Sequence, residues 1–149
     1  YLTLFYQALK NRRNVKLHAG YMLATPLILF ESPFSRLMDN YFPALNFVRT
    51  DGFHEVLSSI AFSDGLAIAF AMGLYFMDRK NGAPWLVASG FMGTQAVVTW
   101  FGLSIPGLGP AFAAYAEIPH SVTIVLGLIG GAAAGWLGWR YGRNYIKDR

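Results

Sequence analysis

The sequence contains no cysteine. This absence excludes disulfide bonds, thiolate metal sites and cysteine nucleophiles, and it leaves the redox compartment undetermined. Charged residues are also scarce, at 13% of the 149 residues, whereas a soluble domain carries about 25%. The sequence shows no nucleotide-binding motif, no hydrolase motif and no nucleophile–base pair. We therefore expect a protein that is not an enzyme.

Apolar residues dominate the composition that remains. They make up 54% of the chain, and they are accompanied by 16 glycines and 7 prolines. Glycine and proline are commoner in membrane helices than in soluble ones, because neighbouring helices satisfy the backbone groups that they free. The composition predicts an all-α polytopic membrane helix bundle that forms a single integral-membrane domain over residues 1–149.

Four apolar stretches are close to the roughly 20 residues that a membrane-spanning helix needs. We predict transmembrane helices at about 15–31, 55–77, 84–104 and 119–141. Residues 1–9 are either the end of a further helix or an amphipathic surface helix. We expect a short interfacial helix around 35–47 and an apolar, Gly/Pro-rich loop at 105–118.

Lysine and arginine are distributed unevenly between the two predicted membrane faces. Only Arg36 and Arg49 lie on one face, whereas the other face holds Lys10, Arg12, Arg13, Lys16, Arg79, Lys80, Arg140, Arg143, Lys147 and Arg149. The positive-inside rule places this basic face, and with it both ends of the sequence, in the cytoplasm. A bacterial inner membrane is the expected location. Because topology explains the basic residues, we do not expect a nucleic-acid partner.

Asp64 and Gln95 are polar residues inside two predicted membrane helices. Each lies about nine residues from the outer end of its helix, so the pair is expected at similar depth on adjacent antiparallel helices. An ionisable residue inside a membrane is a functional hypothesis by default. The pair could serve a proton or ion relay or contact a ligand. The alternative is a structural hydrogen bond between helices, worth about 0.6 kcal/mol on average.

Two histidines are expected at the outer face, where His54 precedes the second predicted helix and His120 opens the fourth. As axial nitrogen ligands, they could hold a b-type haem. Together with Glu55 and Glu117, they could instead hold a divalent metal. The simpler alternative is that water and lipid headgroups satisfy both rings.

His18 lies one turn inside the basic edge, within the segment RRNVKLHAGYM that runs from Arg12 to Met22. A haem at this depth would need a second ligand from elsewhere. The segment resembles a stretch in uncharacterised bacterial polytopic membrane proteins, where a basic cluster precedes a helix that opens with His-x-x-x-Met. Some of those proteins are distantly similar to cytochrome b561-type proteins, in which histidines on facing helices hold haem. The resemblance covers about eleven residues and implies that His18 faces the bundle interior.

The fourth predicted helix carries glycines at helical spacing, among them Gly127, Gly131, Gly135 and Gly138. Small residues spaced in this way let helices approach closely. We therefore expect a small integral-membrane subunit or accessory protein that packs, within the lipid bilayer, against other membrane chains. The alternatives are a haem-binding electron-transfer protein that uses His54 and His120, or His18, and a proton- or ion-coupled carrier that uses Asp64 and Gln95.

Overall fold

A computed structural model describes residues 1–41, 53–101 and 106–144, apart from the side chains at 31, 38–40, 53–58 and 143–144. Within these ranges the chain is all-α, and no β-strand occurs. The helices are α1 (Leu2–Lys10), α2 (Val15–Ile28), α3 (Glu31–Tyr41), α4 (Phe53–Met77), α5 (Ala83–Phe101), α6 (Leu108–Ala116) and α7 (His120–Asn144), with a 3-10 turn at Arg79–Asn81.

The helices follow one another in space in the order α7, α1, α2, α5, α4, α3, and each makes its main contacts with the next. α4 and α5 form an antiparallel hairpin closed by the 3-10 turn. α1 lies between α2 and α7, and its buried Leu4 and Ala8 form its contribution to the core.

Small side chains fill most of the core. Among the described side chains, five of the eight buried apolar residues are alanines, and the set is Leu4, Ala8, Tyr21, Ala24, Ala67, Ala71, Ala88 and Met92. Gly20 of α2 lies against Pro84 of α5, where an added Cβ atom would be 2.9 Å from Pro84 Cγ. Close approach through small residues is how helices associate when lipid removes the hydrophobic drive between them.

Within the described ranges, two helices are long and apolar enough to cross a membrane, over Ser59–Met77 and His120–Gly142. They correspond to the second and fourth predicted membrane helices. The third corresponds to α5, whose centre carries Ser89, Thr94 and Gln95, and α5 does not meet the same criterion among the described residues. The prediction of a helical protein is therefore confirmed, but a bundle with four membrane-spanning helices is not.

The first predicted membrane helix, 15–31, is divided into two helices. Asn14 begins α2 by accepting a hydrogen bond at Oδ1 from the Leu17 backbone N–H at 3.2 Å. α2 ends at Ile28, two residues after Pro26, and α3 begins at Glu31. At 14 residues, α2 is about 21 Å long, which is less than the roughly 30 Å of a bilayer's hydrocarbon core.

The loop predicted at 105–118 is wrong, because most of it forms α6. Gly107 precedes the helix with a φ of 87°, a left-handed conformation that glycine adopts without strain. Pro110 falls in the first turn, where its missing N–H breaks no helical hydrogen bond. The interfacial helix predicted at 35–47 is present as α3 as far as Tyr41, and the rest of that segment lies outside the described residues.

Candidate functional site

Three polar residues in the described part of α4 are buried. Ser59, Ser63 and Asp64 are all buried, and the exposed fraction of Asp64 is 0%. The Ser63 hydroxyl donates a hydrogen bond to the Ser59 carbonyl oxygen at 2.7 Å. Asp64 therefore carries a carboxyl group into the protein interior, six residues inside the segment Ser59–Met77 that is long enough to cross a membrane.

Gln95 lies on α5 at nearly the same level as Asp64. Measured along the hairpin, Asp64 is about 20 Å from the last residue of α4, and Gln95 is about 18 Å from the first residue of α5. Gln95 is half-buried, and both side chains interact with other groups of the protein. The helix lengths thus bring the two predicted polar residues to one depth on neighbouring helices.

His120 begins α7 and is exposed, and Glu117 directly follows α6 and is also exposed. His120 lines an open pocket of about 310 Å³ at the junction of these helices, together with Tyr115, Ala116, Ile118, Thr123 and Ile124. His54 and Glu55 belong to the first turn of α4, but their side chains lie outside the described residues. The haem and metal hypotheses for these residues therefore stay predictions.

His18 is half-buried, and its Nδ1 atom lies 2.8 Å from the Ala8 carbonyl oxygen. If Nδ1 donates this hydrogen bond, the ring is fixed in the tautomer whose Nε2 is an acceptor. Histidine ligands of metals commonly donate their other N–H to a backbone carbonyl in this way. Among the residues that the structure describes, no group of three or more His, Asp or Glu side chains could hold a metal ion.

The glycines of α7 divide into two groups. Gly135 and Gly138 face α1, where added Cβ atoms would be 3.5 Å from Phe5 Cε1 and 2.8 Å from the Tyr6 carbonyl oxygen. Gly127 and Gly131 have open space around them. Two of the four glycines predicted to pack thus lie against α1 within this chain. The other two are free to meet another helix.

One end of the bundle gathers basic residues from three separate segments. Lys16 at the start of α2 pairs with Asp78 beside the 3-10 turn, with 3.6 Å between Nζ and Oδ2. Arg12, between α1 and α2, donates a hydrogen bond from Nη1 to the Trp139 carbonyl oxygen at 2.8 Å. The sequence analysis grouped these segments on one membrane face, and the contacts join them at one end of the molecule.

The Asp78 carboxylate also organises this end. It accepts hydrogen bonds from the Asn81 backbone N–H and from Asn81 Nδ2, at 3.3 Å and 2.8 Å. The hydrogen bonds from Asn81 and, to a smaller degree, the charge of Lys16 lower the pKa of Asp78 below its usual value. Asp78 is therefore ionised at neutral pH and holds the α4–α5 turn against the start of α2.

Aromatic rings accompany several of these cations. The Arg12 guanidinium carbon lies 4.0 Å from the centre of the Trp139 ring, and that of Arg140 lies 5.1 Å from the Trp136 ring. The sequence pattern does not predict this cluster, because α1 and α7 are far apart in the chain. Gly142, four residues after Gly138 on α7, was the signal that these two helix ends meet.

Comparison with known proteins adds no assignment, because no protein family, no curated protein and no solved structure matches this chain. The function must therefore be argued from the geometry of the described residues.

Proposed function

We propose that this protein is an integral-membrane helix bundle that serves as a subunit or accessory protein of a larger membrane assembly. The observation that carries the proposal is the exposure of α7. In the most apolar 18-residue window of its segment His120–Gly142, only 6% is buried, and α1 is its one main neighbour among the described helices. Soluble proteins rarely expose so continuous an apolar surface.

The kind of side chain that α7 exposes favours an environment other than water. Large apolar residues cover α7 on several sides, and more than half of the surface of each is exposed at Ile124, Val125, Leu126, Leu128, Ile129 and Trp136. A helix that is apolar all round belongs in a large core or in a membrane. Lipid or other membrane chains would cover these residues.

The glycines of α7 favour contact with a partner chain in addition to lipid. Its glycine contacts with α1 begin at Gly130, which lies against Leu2, while Gly127 has open space. A glycine on a bare apolar helix offers a place where the backbone of another membrane helix can approach closely. We assign this half of α7, residues 120–129, as the contact surface for the partner chain.

Extraction from native membranes in a mild detergent, followed by measurement of particle mass, tests the proposal. We expect a protein mass above that of one chain. Gly127→Leu should release the single chain because its side chain blocks close approach. Ala133→Leu, an exposed position on the far side of α7, is the matched control and should leave the mass unchanged. A stable particle of one chain from the wild type would contradict the proposal.

Asp64 favours a second candidate function, a proton- or ion-coupled carrier. A fully buried carboxyl group in a segment that can cross a membrane is costly, and Gln95 at the same depth offers a polar neighbour. In vesicles that contain the purified protein, Asp64→Asn should abolish proton- or ion-coupled transport without changing the thermal stability of the protein. Ser89→Ala on α5, which leaves both residues in place, is the control. Equal transport by wild type and Asp64→Asn would exclude this role.

A further inference from the structure

Among the side chains that the structure describes, the basic end of the bundle carries more positive charge than its carboxylates neutralise. Among the described side chains of this end, Asp78 is the one carboxylate, and it pairs with Lys16. The cations that remain are Lys10, Arg12, Arg13, Arg79, Lys80 and Arg140. Such a concentration of one charge sign attracts anionic ligands, and the attraction is greatest where a cation is held in a fixed geometry.

Arg12 is the cation with the most defined geometry. Its Nη1 atom donates to two carbonyl oxygens, those of Leu9 at 3.3 Å and Trp139 at 2.8 Å. Its guanidinium carbon lies 4.0 Å from the centre of the Trp139 ring. The guanidinium group has five N–H donors, and no acceptor among the described residues meets those on Nε and Nη2. This remaining edge can bind a phosphate group through two parallel hydrogen bonds.

Two glycines of α7 allow Arg12 to take this position. At Gly138, an added Cβ atom would lie 2.9 Å from Leu9 Cβ, and at Gly142 it would lie 2.8 Å from the Leu9 carbonyl oxygen and collide with Arg12 Nη1. The absence of side chains at both glycines lets the end of α1 lie directly on α7. The Arg12 site is thus produced by the close contact of two helix ends.

The surroundings of Arg12 combine charge with apolar surface. Trp136 and Trp139 are exposed, and Arg140 lies over the Trp136 ring at 5.1 Å. The exposed apolar face of α7 runs from these tryptophans along the helix towards its first residue. A ligand that carries both a phosphate group and acyl chains would contact both parts of this surface, whereas inorganic phosphate would contact only the first.

We propose that Arg12, supported by Trp139 and Gly142 and flanked by Arg140, binds the phosphate of an anionic phospholipid headgroup whose acyl chains lie along α7. This inference rests on the proposed membrane location. The site selects anionic over zwitterionic lipids because the headgroup must neutralise several cations. Basic sites at the ends of membrane helices bind anionic headgroups through the same chemistry.

The test uses the full chain purified in a neutral detergent. Short-chain phosphatidylglycerol, short-chain phosphatidylcholine and inorganic phosphate are titrated separately, and binding is measured by native mass spectrometry and by the rise in unfolding temperature. We expect phosphatidylglycerol to bind at least about tenfold more tightly than phosphatidylcholine, because both lipids carry the phosphate but the cations around the site repel the quaternary ammonium group of phosphatidylcholine. Inorganic phosphate should produce little stabilisation at equal concentration.

Three variants distinguish binding at a fixed site from general attraction by charge. Arg12→Gln should weaken phosphatidylglycerol binding about tenfold, and Arg12→Lys should recover only part of it, because an ammonium group cannot form the two parallel hydrogen bonds. Lys80→Gln removes the same charge from an exposed position in the 3-10 turn and should change binding less than about twofold. Circular dichroism checks that each variant is folded.

Several results would overturn the lipid site. They are equal binding of the two lipids, equal losses in Arg12→Gln and Lys80→Gln, or equal stabilisation by inorganic phosphate. Extraction of membranes with alkaline carbonate tests the location separately. A chain that stays in washed membranes but shows no preference for phosphatidylglycerol refutes the lipid site alone, whereas a chain released by carbonate refutes the proposed function and the lipid site together.

Discussion

α4 and α7 each have 25 residues and each contains a segment long and apolar enough to cross a membrane, yet they meet the rest of the chain differently. α4 lies between α3 and α5, and 22% of its most apolar 18-residue window is buried, whereas the value for the corresponding window of α7 is 6%. The polar residues follow this difference, because Ser63 and Asp64 are buried within α4 while α7 exposes leucine, isoleucine and tryptophan. Length and apolarity alone therefore do not determine which helix forms the interior.

The largest expected effect comes from truncating a core residue of the packed region. Met92 on α5 has an exposed fraction of 0%, so Met92→Ala should lower the free energy of unfolding by about 2–5 kcal/mol. On α7, Leu128 is 69% exposed, and Leu128→Ala should change the free energy of unfolding by less than about 0.5 kcal/mol. Reversible unfolding in detergent micelles measures both values. Similar losses would show that α7 is as buried as α5.

A smaller change in the free energy of unfolding is expected from substitutions where α7 contacts α1. Gly138→Ala places a methyl group against the Tyr6 carbonyl oxygen and Leu9 Cβ, which should cost about 1–3 kcal/mol of overpacking. Gly131→Ala adds the same group in open space and should stabilise the helix by up to about 1 kcal/mol through helix propensity. The same unfolding measurement gives both numbers. If both substitutions change the free energy of unfolding in the same direction, the assigned α1–α7 contact is incorrect.

The smallest effect concerns the turn that closes the α4–α5 hairpin. Because the pKa of Asp78 is lowered, first by Asn81 and then by Lys16, its ionised form is favoured in the folded protein. Its contribution to stability is present above the unfolded-state pKa of about 3.9 and is lost as the pH falls through the lower folded-state value. Thermal unfolding between pH 7 and strongly acidic pH should show this loss in wild type and not in Asp78→Asn. A parallel decline in both would assign the acid sensitivity to other groups.

The sequence predicts the positions of the long helices well, but it predicts poorly which other segments form helices and which helices contact one another. Uninterrupted apolar runs predicted α4, α5 and α7, because hydropathy reports helix length directly. α6 was missed because the glycines and prolines that suggest a loop also act as its cap and first turn. The similar depth of Asp64 and Gln95 on neighbouring helices followed from the short turn between α4 and α5. The position of Arg12 on Trp139 depends on contact between helices more than one hundred residues apart, which local pattern does not contain.

The central claim is that the exposed face of α7 lies in a membrane and away from water. Because the chain has no cysteine, a single Leu128→Cys substitution allows one position to be probed in intact membranes, opened so that both faces are accessible, with a membrane-impermeant maleimide. Lys80→Cys at the basic end provides the water-exposed control. We predict rapid labelling of the control and almost none at position 128 until detergent is added and the protein is unfolded. Equally rapid labelling of both positions in membranes would contradict the account.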